Sequence, residues 1–168
     1  YAYEGMMSIN ISAIQFKDGR FLDTLQYYTG LYGLNAHKIE IELTESVFIE
    51  DLDETVKLIN KIREFGYRIS LDDFGTGYSS LSYLRIVPID TLKIDRSFIT
   101  ELSREKNTTI ITTSIIEMAE KLGLEVIAEG VEEQEQLECL RENQCGIIQG
   151  YLLGRPLRQE AIEALLRS

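Results

Sequence analysis

The chain has 168 residues, 44% of them hydrophobic and 27% charged, with a formal net charge of -11. That is enough for one domain with a real core in an ordinary globular composition. The acidity argues against a DNA- or RNA-binding protein, which is usually basic, but leaves room for a small anionic substrate bridged by metal ions.

No apolar run approaches a membrane span, and no signal peptide is visible. The chain opens without an initiator Met, which suggests a piece of something longer. Its cysteines are Cys139 and Cys145. They are spaced poorly for zinc, and we expect reduced thiols in a cytoplasmic protein. The single histidine, His37, argues against Ser-His-Asp or Cys-His catalysis. Beside Lys38 it reads as solvated surface.

Met6 to Ser12 alternates like a strand. Phe21, Leu22, Leu25, Tyr28, Leu31 and Tyr32 recur at helical spacing, with Gly33 as a stop. Lys38 to Glu45 is a second strand. Asp51 to Phe65 is a helix with Leu52, Val56, Ile59 and Ile62 on one stripe. Tyr67 to Phe74 is a third strand, and the next helix starts near Ser79 and stops before Pro88. Thr91 to Asp95 is a fourth strand. The helix Asn107 to Leu122 presents Ile111, Ile115, Met118, Ala119 and Leu122. Leu124 to Val131 is a fifth strand, and Glu132 to Glu142 a helix with acids in its first turn. Gly146 to Leu153 is a sixth strand, and Arg158 to Arg167 a closing helix. This alternation with short connections predicts a parallel sheet with right-handed crossovers.

Parallel strands are usually apolar on both faces, and these are not. Ile9 and Ile11 oppose Ser8, Asn10 and Ser12; Ile39, Ile41 and Leu43 oppose Glu40, Glu42 and Thr44. Leu71 opposes Ser70 and Asp72; Leu92 and Ile94 oppose Lys93 and Asp95. Glu129 and Gln149 hold similar places later. A barrel explains this pattern: apolar faces meet the outer helices, and polar strand ends converge at the mouth. Asn10, Glu42, Asp72, Asp73 and Glu129 are oxygen donors suited to Mg2+ or Mn2+. Lys93 is a cation suited to a phosphate oxygen or a water. Two-metal sites of this type cleave phosphodiesters. The plainer alternative is a set of buried polar pairs, such as Lys93 with Asp95. Glu40 lies deeper and needs a local partner.

The stretch Ile69 to Ser80 carries the sharpest signal. Adjacent carboxylates at a buried strand end repel and call for a cation or strong donors. Alone, Asp72-Asp73-Phe74-Gly75 reads equally well as a turn.

Ser8-Ile9-Asn10-Ile11-Ser12, Glu42-Leu43-Thr44-Glu45, Leu71 to Gly77, Leu92 to Phe98, Ala128-Glu129-Gly130-Val131-Glu132 and Gln149-Gly150-Tyr151 stand in this order. Together they closely resemble the EAL domain, the cyclic di-GMP phosphodiesterase. The resemblance covers essentially the whole chain. It implies a TIM-like barrel, mostly parallel with one strand commonly antiparallel. It also implies that Asn10, Glu42, Asp72, Asp73 and Glu129 bind Mg2+ or Mn2+, with Asp72 shared between two ions. Lys93 would position water and phosphate, and Glu129 would help activate the water. Gln149 would lie at the rim as a substrate contact, with Asp95 a second. Glu45 would fasten the loop after Asp73, and residues 74–80 would couple metal binding to dimerisation.

The namesake Glu-Ala-Leu motif is absent, and six strands are countable where a closed barrel needs eight. We therefore expect residues 1–168 to form one partial EAL domain, an incomplete TIM-like barrel. Its open edge would favour a homo-oligomer. Upstream sensor or cyclase domains belong to the expected parent; whether a membrane anchor lies upstream is left open. The expected activity is metal-dependent hydrolysis of cyclic di-GMP to linear pGpG by that parent, with the piece itself weak or inactive. The alternatives are a degenerate EAL-type domain that binds cyclic di-GMP or a protein partner without cleaving, and another metal-dependent barrel phosphoesterase.

Overall fold

The computed structural model describes residues 5–49, 51–76, 81–102 and 105–166. Its six strands are β1 (Met7–Asn10), β2 (Ile39–Thr44), β3 (Arg68–Phe74), β4 (Thr91–Ile94), β5 (Glu125–Glu129) and β6 (Ile147–Gln149). They pair in chain order, every neighbour parallel, into a curled half-barrel. No antiparallel strand occurs among the described residues. The helices are α1 (Ala13–Phe16), α2 (Phe21–Leu31), α3 (Leu52–Glu64), α4 (Leu81–Leu84), α5 (Arg96–Thr100), α6 (Lys106–Lys121), α7 (Gln134–Glu142) and α8 (Gln159–Leu165). None is long and apolar enough to cross a membrane.

The expected division of strand faces holds in β2 to β5, while Ile9 of the edge strand β1 is exposed. Ile41, Leu43, Ile69, Leu71, Leu92, Ile94 and Ala128 are fully buried on the helix side. Ile59 and Ile62 of α3 meet that layer from outside, as the stripe predicts, while Leu52 and Val56 pack at its margin. Asp51 caps α3 by accepting the Glu54 amide at 3.0 Å, which satisfies a helix-end donor. Ser12 and Gln15 form a capping box around α1, a short helix that the apolar spacing does not signal.

Three expectations need correction. The buried face of α6 runs through Thr112, Ile116 and Ala119, while Ile111 and Leu122 are exposed. Thr112 buries because its hydroxyl donates to the carbonyls of Thr108 (2.9 Å) and Phe98 (3.3 Å). β6 ends at Gln149, because residues 150–153 turn away, with the Leu153 amide donating back to Gly150. The apolar stripe of α2 is half covered: Phe21, Leu22 and Leu25 pack on the core, while Tyr28, Leu31 and Tyr32 are exposed. His37 is exposed as expected, but its ring also covers Gly66. The expected start of a helix near Ser79, and the Arg167 end of the last one, lie outside the described residues.

Candidate metal and phosphate site

Register decides which side chains meet in the lumen. Asn10 sits beside Glu42, Glu42 beside Ser70, and Ser70 beside Thr91. Thr44 is level with Asp72, and Glu129 with Gln149. Cα partners in a parallel pair share a face, so the polar rows all look inward.

Two adjacent aspartates in a regular strand would point to opposite faces. A bulge resolves this. Between Leu71–Leu92 and Phe74–Ile94 the pairing slips, leaving one extra residue on β3. Asp73 takes φ 53°, the left-handed region that costs most non-glycine residues energy and that Asp tolerates. Its amide donates to Asp72 Oδ1 at 3.0 Å. One carboxylate oxygen from each of Asp72, Asp73 and Glu129 then lies within 4.8 Å of the others.

Lys93, 3% exposed, stands at the floor of this group. Its Nζ lies 2.6 Å from Glu129 Oε1, 2.8 Å from Glu42 Oε1 and 3.2 Å from Asp72 Oδ1. An ammonium has three donors, and this one spends them on three strands. Burial works to lower the Lys93 pKa; the bonds to Glu129 and Glu42 outweigh it and hold the group above its ordinary value. The plainer pairing of Lys93 with Asp95 is not what forms. Asp95 instead caps α5, accepting the Ser97 amide at 2.9 Å.

One cation does not neutralise these acids. Burial, then the nearby Asp72 and Asp95 charges, raise the Asp73 pKa. Burial likewise raises Glu129, against the opposing pull of Lys93. Clustered hard oxygen donors with surplus negative charge fit a divalent cation such as Mg2+ or Mn2+.

The segment after Asp73 is pinned from below. Glu45, buried at the end of β2, accepts the Gly75 amide at 3.0 Å. Gly75 has φ 98°, and a Cβ there would lie 2.5 Å from the Phe98 ring, so a side chain is excluded twice. Tyr83 of α4 is buried against Phe48, with ring centroids 5.3 Å apart. Burial and the Glu45 charge push its phenol pKa up. Residues 77–80 of this segment lie outside the described residues.

Gln149 is exposed at the end of β6 and lines a cavity of about 370 Å³ with Tyr151, Arg155, Pro156, Leu157 and Ile162. Asn10 is exposed at the end of β1. Glu40 finds its partners one layer down: Thr91 Oγ1 at 2.7 Å, Ser8 Oγ at 3.3 Å and Arg68 Nε at 3.5 Å. Arg68 also donates to Glu125 at 2.6 Å. The alternating pattern of β3 and β5 contains Arg68 and Glu125, yet only their pairing across β4 reveals a lower polar layer.

Comparison with known proteins bears on this arrangement. The EAL domain family model matches residues 2–156. The chain belongs to the EAL domain family. The cyclic di-GMP phosphodiesterase NbdA of Pseudomonas aeruginosa is 44% identical over 162 residues, covering 96% of this chain and 21% of that protein. This EAL chain spans about a fifth of the length of such curated relatives. The crystal structure of the EAL domain of Mycobacterium smegmatis DcpA superposes with a TM-score of 0.92 at 35% identity, covering 96% of this chain and 73% of that one. The manganese and cyclic di-GMP complex of Klebsiella pneumoniae BlrP1 gives 0.80 at 30% identity, covering 90% of this chain and 39% of that one. The half-barrel is thus part of a TIM-like EAL architecture.

Proposed function

We propose that this chain carries the metal-binding mouth of a phosphodiesterase that opens cyclic di-GMP to linear pGpG in a longer protein. The observation that carries the reading is the meeting of Asp72, Asp73 and Glu129 over a Lys93 already bonded to Glu42. The cyclic di-GMP and manganese in the BlrP1 complex, and the name of NbdA, support the substrate and ion class.

In this reading Asn10, Glu42, Asp72, Asp73 and Glu129 would hold the Mg2+ or Mn2+ ions. Such ions, when bound, lower the pKa of water and stabilise charge developing on phosphate. Lys93 and Glu129 are the catalytic pair. With its carboxylate partners turned to the ions, the ammonium would be free to orient water and a phosphate oxygen, and a Glu129 carboxylate oxygen would accept the water's proton. One water adds across one phosphodiester: hydroxyl goes to phosphorus, and the proton ends on the departing 3′ oxygen. Gln149 and Asp95 contact the nucleotide at the rim, and Glu45 keeps Gly75 in place behind Asp73.

We take the six strands as part of an eight-strand barrel, a reading supported by the 73% coverage of the DcpA chain. In that barrel a Glu-Ala-Leu segment supplies a further ligand, so residues 1–168 alone turn over slowly or not at all. Among the described residues β1 and β6 each pair on one side only, and a second copy is the expected cover for those edges. Light scattering at micromolar concentration then gives an oligomer; a stable monomer contradicts the self-association.

The direct test is cyclic di-GMP hydrolysis by the longer protein, with and without Asp72→Ala. Turnover in the parent that drops to background in the variant is expected. Undiminished turnover in the variant contradicts the reading.

A further inference from the structure

Gln136 lies in the first turn of α7, 3% exposed and remote from the acids in sequence. Its Oε1 accepts the amides of Glu132 (2.8 Å) and Glu133 (3.0 Å), completing a capping box. A glutamate at this position caps equally well. The amide adds what a carboxylate lacks. Its Nε2 donates to the Ile99 carbonyl at 3.0 Å, across 37 residues.

Ile99 belongs to α5, which begins directly after Asp95, two residues beyond Lys93. Glu132 and Glu133 follow Glu129 through the turn at Gly130, φ 71°. The same two segments touch again there, since a Cβ on Gly130 would lie 2.4 Å from Arg96 Cγ. Arg96 also pairs with Glu132 at 3.6 Å. A closed ring results. Lys93 and Glu129 join it on the lumen side at 2.6 Å, and Gln136 and Ile99 join it on the helix side.

We propose that Gln136 is a positioning residue for Glu129. By fastening the segment after β5 to α5, it holds the Glu129 carboxylate against Lys93 and toward Asp72 and Asp73. The inference rests on the proposed role of Glu129, and its first readout needs neither metal nor substrate. On the helix side Gln136 supplies the one buried hydrogen bond, beside the exposed Arg96–Glu132 pair and the Arg96 stem over Gly130, and losing its donor loosens that side. The carboxylate then swings on a strand end adjoining a glycine turn.

The test uses two variants of the full chain at about pH 8, above the ordinary glutamate range. Gln136→Glu keeps the cap and loses the donor; Gln136→Met loses both at similar volume. The carboxyl-carbon NMR signal of Glu129 is read without metal, alongside thermal melting and Mn2+ titration. We expect Gln136→Glu to melt below the wild type, because a buried carboxylate then faces the Ile99 carbonyl, while its Glu129 signal moves and Mn2+ binds about tenfold more weakly. Gln136→Met shows the same signal change and a lower melting temperature. A Glu129 signal at its wild-type position in Gln136→Glu, with only Gln136→Met altered, overturns the proposal and leaves a helix cap. Should Gln136→Glu not fold, Gln136→Met decides alone: an unmoved Glu129 signal overturns it. A wild-type chain that binds no Mn2+, with Glu129 still displaced in Gln136→Glu, sinks the metal reading and supports the positioning.

Discussion

The lower layer of the lumen sets Glu40 and Glu125 against Arg68 and Thr91; the upper layer sets Glu42, Asp72, Asp73 and Glu129 against Lys93. Both are built from inward-facing residues of the same strands. In the lower layer the bonds close within the chain: Thr91 gives its hydroxyl to Glu40, and Arg68 spans to Glu125. In the upper layer the acids outnumber the donors, and burial first, with the neighbouring acids adding to it, raises the pKa values of Asp73 and Glu129. A layer satisfied by its own side chains is scaffold. A layer with unspent negative charge is the one that the proposed reading fills with cations.

Replacing the cation in each layer separates the two most sharply. Lys93→Met leaves Glu42, Asp72 and Glu129 facing one another in a buried setting. The metal-free chain should lose about 3–5 kcal/mol, read by denaturant unfolding, with part recovered on adding Mn2+. Arg68→Met should cost less, about 1–2 kcal/mol, because Arg68 and Glu125 are both partly exposed and screened by water. Mn2+ should not repair that loss. Equal losses, both insensitive to Mn2+, would erase the distinction.

Asp73→Gly probes the bulge. Glycine adopts φ 53° without strain, so the metal-free chain should gain up to about 1 kcal/mol while Mn2+ binding weakens. A loss of stability in melting experiments would show that the entropy glycine adds to the unfolded chain outweighs the relief at φ 53°.

The smallest effect is on pH. Asp73 and Glu129 have raised pKa values in the folded, metal-free chain. Their contribution to stability is therefore present below their unfolded values and lost as pH rises through their folded ones. Metal binds the ionised form, so the rise in melting temperature on adding Mn2+ should grow with pH, starting in the ordinary carboxylate range. A gain independent of pH across that window would place the ion elsewhere.

Much of the fold and of the upper layer is legible in the sequence, because both follow from periodicity. Strand and helix alternate, and inward residues recur every second position, so Glu42, Asp72, Lys93 and Glu129 can be placed at one mouth from spacing alone. What escapes depends on pairing across distance. Nothing local in Leu71-Asp72-Asp73-Phe74 announces a bulge; it exists because β4 advances two residues while β3 advances three. Thr112 buries because two carbonyls accept its hydroxyl, which a count of apolar positions cannot register. Gln136 reads as one polar residue in a polar helix until the Ile99 carbonyl is found beside it. Glu40 was legible as a residue in need of partners, but their identity lies on β1, β3 and β4.

The most direct measurement is a crystal of this chain grown with Mn2+ and read by anomalous scattering. The account predicts a peak bounded by Asp72, Asp73 and Glu129 that vanishes in Asp72→Ala. A peak on other residues, or one that survives the substitution unchanged, would contradict it.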